Sequence, residues 1–256
     1  MKYFVDIVDK RNQILKDLLI QNGQMVEVFD FNKVTEIKKG DTVVFSPAKK
    51  FTIEEVEKLP KGINLVCGNV GEENLKKLKN KKIKIKNLME DEIFTVKNAN
   101  LTAEGVLAII LEKTDVSIFE SNVLILGGGR IAKAMATILK CLGVNYAIVS
   151  FNPIKFPSYY LLSNKCYYRK GFLRDIKKYN VVVNTIPARI IDDEIINSID
   201  PKTLFIETAS VKCLDDTQKL DFEYLFAPAL PQRYSAVSAG KLVYESIMGE
   251  NDYGKD

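Results

Sequence analysis

The sequence predicts an α/β protein of two domains, each a doubly wound parallel sheet. Three observations carry that prediction. Short apolar runs alternate with amphipathic stretches along the whole chain, and such alternation implies parallel strands covered by helices on both faces. One polar segment, Asn98-Ala99-Asn100-Leu101-Thr102-Ala103-Glu104-Gly105, divides the alternation into two blocks. The second block holds a strand, a glycine-rich turn and an amphipathic helix in direct succession over residues 123–142. A chain of 256 residues suffices for two modest cores.

Residues 1–98 read as a small α/β domain of flavodoxin-like or Rossmann-like layout. Residues 3–8 form a strand, and residues 11–21 a helix with Ile14, Leu15, Leu18 and Leu19 on one face. Further strands are predicted at 25–29, 42–45, 64–67 and 83–85, with helices at 53–58 and 73–78 between them. The lysine-rich run 76–86 reads as a solvated helix-to-strand surface. The polar segment at 98–105 opens a long helix bridging the blocks, with Thr102 as its cap and Val106, Ile109 and Ile110 at helical spacing. Residues 99–256 form the second domain. Strands are expected at 123–126, 146–149, 181–184, 204–206 and 224–226, helices at 131–142 (ended by Gly143), 172–179, 192–199 and 238–248, and a frayed polar tail from Gly249 to Asp256.

Composition removes several classes of function. The chain contains no histidine, which excludes Ser-His-Asp and Cys-His nucleophile systems and His-ligated metal sites, so no metal is expected. The absence also removes the histidine acid–base group used by 2-hydroxy-acid dehydrogenases. A net charge of +4 is too small to point to nucleic acid. No apolar run spans a bilayer, the N-terminus is broken by charges, and Cys67, Cys141, Cys166 and Cys213 never form a C-x-x-C pair. A cytoplasmic protein with reduced, buried thiols is expected.

The chemistry concentrates at Gly127-Gly128-Gly129-Arg130-Ile131-Ala132. The apolar strand ending at Leu126 feeds directly into Gly127, and Ile131, Ala134, Met135, Ile138, Leu139 and Leu142 form the apolar stripe of the following helix. Gly127 permits the sharp turn, Gly129 lets backbone approach a pyrophosphate, and Ala132 allows close helix–strand packing, the pattern of a Rossmann dinucleotide site. The helix N-terminus offers N–H groups and a positive dipole end to phosphates. The next strand ends in Ser150-Phe151-Asn152 without a carboxylate, and Lys155 follows. A carboxylate there would hold a ribose 2′-hydroxyl, whereas hydroxyl, amide and cation tolerate a 2′-phosphate. The expected cofactor is therefore NADP, with NAD as the alternative; Ser150 and Asn152 are equally compatible with plain turn formation. Two more strand ends, Asn184-Thr185-Ile186-Pro187 and Glu207-Thr208-Ala209-Ser210, point toward the same crevice, with Thr208 and Ala209 as the contact candidates of the second.

These residues together resemble the A-subunit of dipicolinate synthase. The resemblance rests on NANLTAEG at 98–105, the G-G-G-R turn, NTIPA at 184–188, APALP at 227–231 and Ser238-Ala239-Gly240. It covers residues 98–241 by motif, and the N-terminal domain by layout and length. It implies an NADP-linked oxidation of dihydrodipicolinate to dipicolinate in the mother cell during sporulation. It also implies a partner, the flavoprotein-like B-subunit, and a final helix that returns to the first domain. The family's cofactor role falls on Gly127, Gly129, Arg130, Thr185 and Pro187. The sequence departs from the family at Ile7-Val8-Asp9, where Gly-Gly-Asp is usual, and at Val211-Lys212-Cys213-Leu214, where Lys-Pro-Gly-Gly is usual.

The substrate implied is a small planar dicarboxylate, whose carboxylates call for cations. Arg233 is the first candidate and Lys212 the second. No catalytic acid or base is identified. Two other readings stay open. One is an NADP-dependent reductase of shikimate-dehydrogenase type, which needs a Lys–Asp pair in the first domain (Lys10 with Asp9, or Lys49 or Lys50 with Asp91). The other is a non-catalytic dinucleotide-binding regulatory subunit. Expected partners are the substrate, further copies of the chain and the flavoprotein B-subunit; neither nucleic acid nor membrane is expected.

Overall fold

The computed structural model describes residues 1–163, 165–214 and 219–249, so all of the tail expected to fray except Gly249 lies outside the described residues. The chain forms two compact units, one made of residues 1–98 with the chain from Pro231 onward, the other of Ala99–Leu230.

In the first unit, apolar runs form short strands, the three central ones (at residues 3–5, 42–44 and 64–67) largely buried and the two edge strands partly exposed. These are β1 (Tyr3–Val5), β2 (Val26–Val28), β3 (Thr42–Val44), β4 (Asn64–Cys67) and β5 (Lys84–Asn87), with α1 (Lys10–Gln21), α2 (Ile53–Lys58) and α3 (Glu72–Asn80) between them. All strand pairings are parallel, in the order β2-β1-β3-β4-β5. Phe4, Phe45, Val56, Leu65 and Leu78 lie in its core. Helix starts are set by local chemistry. Asp9 caps α1, and Thr52 with Glu55 makes a reciprocal capping box on α2.

The bridging helix is α4 (Glu92–Lys113), and it corrects one expectation. Thr102 is not its cap but a buried interior residue. The helix begins far upstream, where Asp91 Oδ1 accepts from the Phe94 N–H at 3.0 Å. Phe94, Ala99, Ala103, Val106 and Ile110 are all buried at helical spacing. That continuous stripe overrides the weak helix propensity of the Asn98-Ala99-Asn100 stretch.

The second unit contains β6 (Asn122–Leu126), α5 (Arg130–Leu142), β7 (Asn145–Ser150), β8 (Cys166–Tyr168), β9 (Val181–Asn184), α6 (Asp193–Ser198), β10 (Leu204–Glu207) and β11 (Glu223–Phe226), and α7 (Leu230–Tyr234) begins at its end. Its six strands are parallel, in the order β11-β10-β9-β6-β7-β8. The strand order reverses between β6 and β9, which is the switch point of a doubly wound sheet. Residues 169–178 form a 3₁₀ segment rather than the expected α-helix, with Phe172 and Ile176 buried beneath the sheet. The edge strand β8 was not anticipated, because Cys-Tyr-Tyr is too short to show a period.

The last helix, α8 (Ala236–Met248), packs on α1 within the first unit. Gly240 makes this possible: a Cβ there would lie 2.6 Å from Ile14 Cβ and 2.7 Å from the Arg11 carbonyl. Further along the helix, Ser246 donates to Asp91 Oδ2 at 2.6 Å and Lys97 pairs with Glu245 at 2.9 Å. No described helix is long and apolar enough to cross a membrane.

Candidate functional site

The turn after β6 is a tight glycine turn that opens directly into α5. Gly127 sits at φ +114°, a region side chains avoid, and a Cβ there would lie 2.4 Å from Thr185 Oγ1 and 2.9 Å from Ile186 Cγ1. The Gly127 N–H donates to the Val149 carbonyl at 2.9 Å, which ties the turn to β7. Gly129 is different. It is the N-cap of α5 with ordinary extended geometry, no side-chain cap, and open space where a Cβ would stand. A helix of thirteen residues therefore presents its N-terminus, unblocked by any side chain, at an exposed glycine. This fits a dinucleotide pyrophosphate. Arg130 is exposed at that terminus, Ile131 is half-buried, and Ala132 is buried against the sheet.

The switch-point loops are brought together as expected. Thr185 donates both its N–H and its hydroxyl to the Leu126 carbonyl, at 3.0 and 2.9 Å, so the loop after β9 is fastened to the end of β6. Asn184 is fully buried. Its Oδ1 accepts from the Ile186 N–H at 3.1 Å, and its carbonyl accepts from both the N–H and the hydroxyl of Thr208. Pro187 is exposed, whereas Thr208 and Ala209 are buried.

At the centre of this arrangement is Glu207, which sequence reasoning places at a polar strand end but gives no role of its own. Its carboxylate is fully buried. Asn184 Nδ2 donates to both of its oxygens at 3.1 and 2.9 Å, and the N–H groups of Ala209 and Cys213 add bonds at 3.1 and 3.2 Å. The carboxylate thus binds the ends of β9 and β10 to the loop that carries Lys212. Burial, and then the neighbouring Glu207, raise the Cys213 thiol pKa and keep that thiol protonated. A glutamate closing an otherwise apolar strand (Leu-Phe-Ile-Glu) was the available signal.

At the end of β7, Ser150 and Asn152 act as turn formers. Ser150 Oγ accepts from the Asn152 N–H at 3.2 Å, and Asn152 Oδ1 accepts from the Ile154 and Lys155 N–H groups at 2.9 and 3.1 Å. Ser150 is buried, Phe151 half-buried and Asn152 exposed. Lys212 Nζ lies over the Phe226 ring at 5.5 Å, within the second unit. Arg233 is exposed, stacks on Tyr234 at 4.9 Å and belongs to the first unit.

Two further readings meet the structure differently. Of the Lys–Asp pairs left open for the first domain, Asp9 and Lys49 are engaged with other partners. Asp9 is held by Arg11 at 2.6 Å, and Lys49 by Glu55 at 2.5 Å. Not all four cysteines are buried: Cys67 and Cys213 are, Cys166 is half-buried and Cys141 is exposed on α5.

No family model matches the sequence. The chain is similar to the A-subunit of dipicolinate synthase from Bacillus subtilis strain 168, with 26% identity over 165 residues. The matched stretch is 63% of this chain and 56% of that curated relative's length. Among solved structures, the A-subunit of dipicolinate synthase from Bacillus halodurans superposes with a TM-score of 0.80 at 18% identity, over 97% of both chains. The Bacillus subtilis synthase structure gives 0.78 at 18% identity, over 98% of this chain and 95% of that one. A transhydrogenase from Sinorhizobium meliloti gives 0.72 at 12% identity, over 98% and 93%. The chain thus resembles the A-subunit of dipicolinate synthase, and its fold is the two-domain, parallel-sheet α/β fold these structures share.

Proposed function

We propose that the chain is the NADP(H)-binding subunit of a dipicolinate synthase, oxidising dihydrodipicolinate to dipicolinate. The observation that carries this reading is the open N-terminus of α5 at Gly129, flanked by Gly127 at positive φ and by loops fixed at the switch point. A helix end without a side-chain cap is electrostatically suited to an external anion, and the glycine leaves room for one. NADP is favoured over NAD because the end of β7 carries no carboxylate while Lys155 follows.

A bound NADP would supply a two-electron hydride acceptor, and the dihydropyridine ring would also release one proton to water on becoming aromatic. Aromatisation drives that loss, so no histidine is required. The chain's own part is positional. Gly127–Ile131 hold the pyrophosphate, the turn that Ser150 shapes presents Phe151, Asn152 and Lys155 to the adenosine ribose, and the Asn184–Pro187 and Thr208–Ala209 loops face the nicotinamide end. Arg233 and Lys212 are the candidates for a substrate carboxylate, each tested by alanine substitution and substrate affinity. The proposed partner is a flavoprotein-like B-subunit, in the cytoplasm of the sporulating mother cell.

The test is NADPH and NADH binding by fluorescence, wild type beside Gly129→Val, followed by dipicolinate formation with and without a flavoprotein subunit. NADPH binding lost in the variant, together with product formation, supports the synthase. Binding without turnover in either mixture overturns the catalytic reading. No dinucleotide binding by the wild type overturns the function as a whole.

A further inference from the structure

The middle glycine of the turn is unexplained by dinucleotide recognition, since the position between the two functional glycines accepts most residues. The structure supplies another reason for it. A Cβ on Gly128 would lie 2.0 Å from both Cζ and the hydroxyl oxygen of Tyr159. Tyr159 is only 3% exposed, and its hydroxyl donates to the Gly128 carbonyl at 3.2 Å. The ring thus lies against the backbone of the glycine turn, where any side chain would expel it.

The segment that delivers Tyr159 is rigid by its own hydrogen bonds. Asn152 caps Ile154 and Lys155, and its carbonyl accepts from the Phe156 N–H at 3.1 Å. The Lys155 carbonyl accepts from the hydroxyl of Ser158 at 2.7 Å and from its N–H at 3.1 Å. Tyr159 follows directly, and its carbonyl in turn accepts from Leu162 and Ser163. The tyrosine is therefore a fixed post.

A trans peptide is planar, with its C=O and the following N–H on opposite sides. A hydroxyl that fixes the Gly128 carbonyl therefore fixes the direction of the Gly129 N–H, turning it away from Tyr159. That N–H belongs to the first residue of the open helix end.

We infer that Tyr159 is a positioning residue for the dinucleotide phosphates, acting through the Gly128–Gly129 peptide. The inference rests on the dinucleotide-binding reading above. It assigns Gly128 to the tyrosine and leaves Gly129 to the ligand. Preorganised donors bind an anion without first ordering themselves, so losing the hydroxyl costs affinity more than stability.

Tyr159→Phe keeps the ring and removes only the hydroxyl. NADPH affinity is expected to fall about three- to tenfold, the range for one hydrogen bond, with the melting temperature within a few degrees of wild type. The second test pairs Gly128→Ala with Tyr159→Ala. Gly128→Ala alone expels the ring and lowers the melting temperature. Adding Tyr159→Ala makes room for the new methyl, so stability recovers toward that of Tyr159→Ala alone, while NADPH affinity stays low. A purely structural tyrosine would let affinity recover with stability. Wild-type NADPH affinity in Tyr159→Phe, or in the double variant, overturns the inference. A wild type that binds neither NADPH nor NADH overturns instead the dinucleotide reading beneath it.

Discussion

Replacing Gly127 and Gly129 separately by alanine distinguishes a glycine the fold requires from one the ligand requires. At Gly127 the added methyl meets two penalties. The residue is held at φ +114°, and a non-glycine residue in such a region costs about 1–3 kcal/mol. The methyl also collides with Thr185 Oγ1 at 2.4 Å and Ile186 Cγ1 at 2.9 Å, and such overpacking costs a further ~1–3 kcal/mol. A total of roughly 2–6 kcal/mol, at about 2–4 °C per kcal/mol for a chain of this size, lowers the melting temperature by roughly 5–20 °C. At Gly129 neither penalty applies. The backbone is at φ −77°, ψ −168°, and nothing lies within 4 Å of the new methyl. Alanine is a poorer N-cap than glycine, so about 0.5–1 kcal/mol is lost, or a few degrees.

Ligand binding is expected to show the opposite order. On the proposed function, a methyl on Gly129 stands where a phosphate would approach the helix end. Losing two charge-assisted hydrogen bonds at about 1.5–3 kcal/mol each costs roughly 3–6 kcal/mol, about 10²- to 10⁴-fold in affinity. The assay is a thermal melt by circular dichroism beside an NADPH fluorescence titration of the same samples. Gly129→Ala that binds NADPH like wild type refutes the proposed phosphate site. Gly127→Ala that melts like wild type refutes the steric reasoning.

Three further outcomes are expected. Glu207→Gln turns an acceptor into a donor facing the N–H groups of Ala209 and Cys213 and the amide of Asn184, so one buried donor loses its partner. It should cost about 2–4 kcal/mol by urea denaturation, and an unchanged midpoint would show that the carboxylate does not organise these loops. In the first unit, burial alone would raise the Asp9 pKa, but the hydrogen bonds and charge of Arg11 outweigh it and hold the carboxyl below its usual range. The pair's contribution is full above about pH 4 and is lost as pH falls through the lowered value. Arg11→Met should cost about 3–5 kcal/mol at neutral pH, with the difference from wild type shrinking toward pH 3; a difference constant over that range refutes the pairing. Finally, a thiol reagent should modify exposed Cys141 quickly. Cys67, pushed up to about 12 by burial, and Cys213, also raised, should react only on unfolding. A fast phase that survives in Cys141→Ser would contradict this.

The central strands were legible because they are parallel and buried on both faces. Asn64–Cys67 and Val181–Asn184 stand out as apolar runs between turns, and both have the bounds their composition suggests. Gly143, at φ 72°, ends α5 as an αL cap should. What misled was local chemistry overruled by distant contacts. Thr102 has the character of a cap, yet the burial of Phe94, Ala99 and Ala103 carries α4 straight through it. The glycine turn was visible as a motif, but the division of labour among its glycines was not. The neighbour of Gly128 is Tyr159, 31 positions away, and that of Gly127 is Thr185, further still. The role of Glu207 was hidden for a related reason: besides the loop that follows it, its partner is Asn184, 23 positions away on another strand, and no spacing rule links the two.

The two units solve one electrostatic problem in opposite ways, and the contrast favours the second as the dinucleotide site. Each sheet has a switch point, between β1 and β3 in the first unit and between β6 and β9 in the second, and in each a helix starts just beyond the first of those strands. Such a helix end carries about half a positive charge and free N–H groups that require an anion. At α1 the chain supplies its own. The Asp9 carboxylate accepts from the Arg11 N–H at 2.9 Å, and it is sealed in by the Arg11 guanidinium and by Ser46 Oγ at 2.5 Å, with Asp9 and Arg11 both about 95% buried or more. At α5 no side chain caps the end, and Gly129 leaves its approach open. An external phosphate would have to displace a buried, paired carboxylate in the first unit, whereas in the second it completes the helix. Introducing an internal anion at the second site tests this directly. Gly129→Asp should raise the melting temperature, by up to about 1 kcal/mol of capping stability, while abolishing NADPH binding. A variant that gains stability and still binds NADPH would place the phosphates elsewhere.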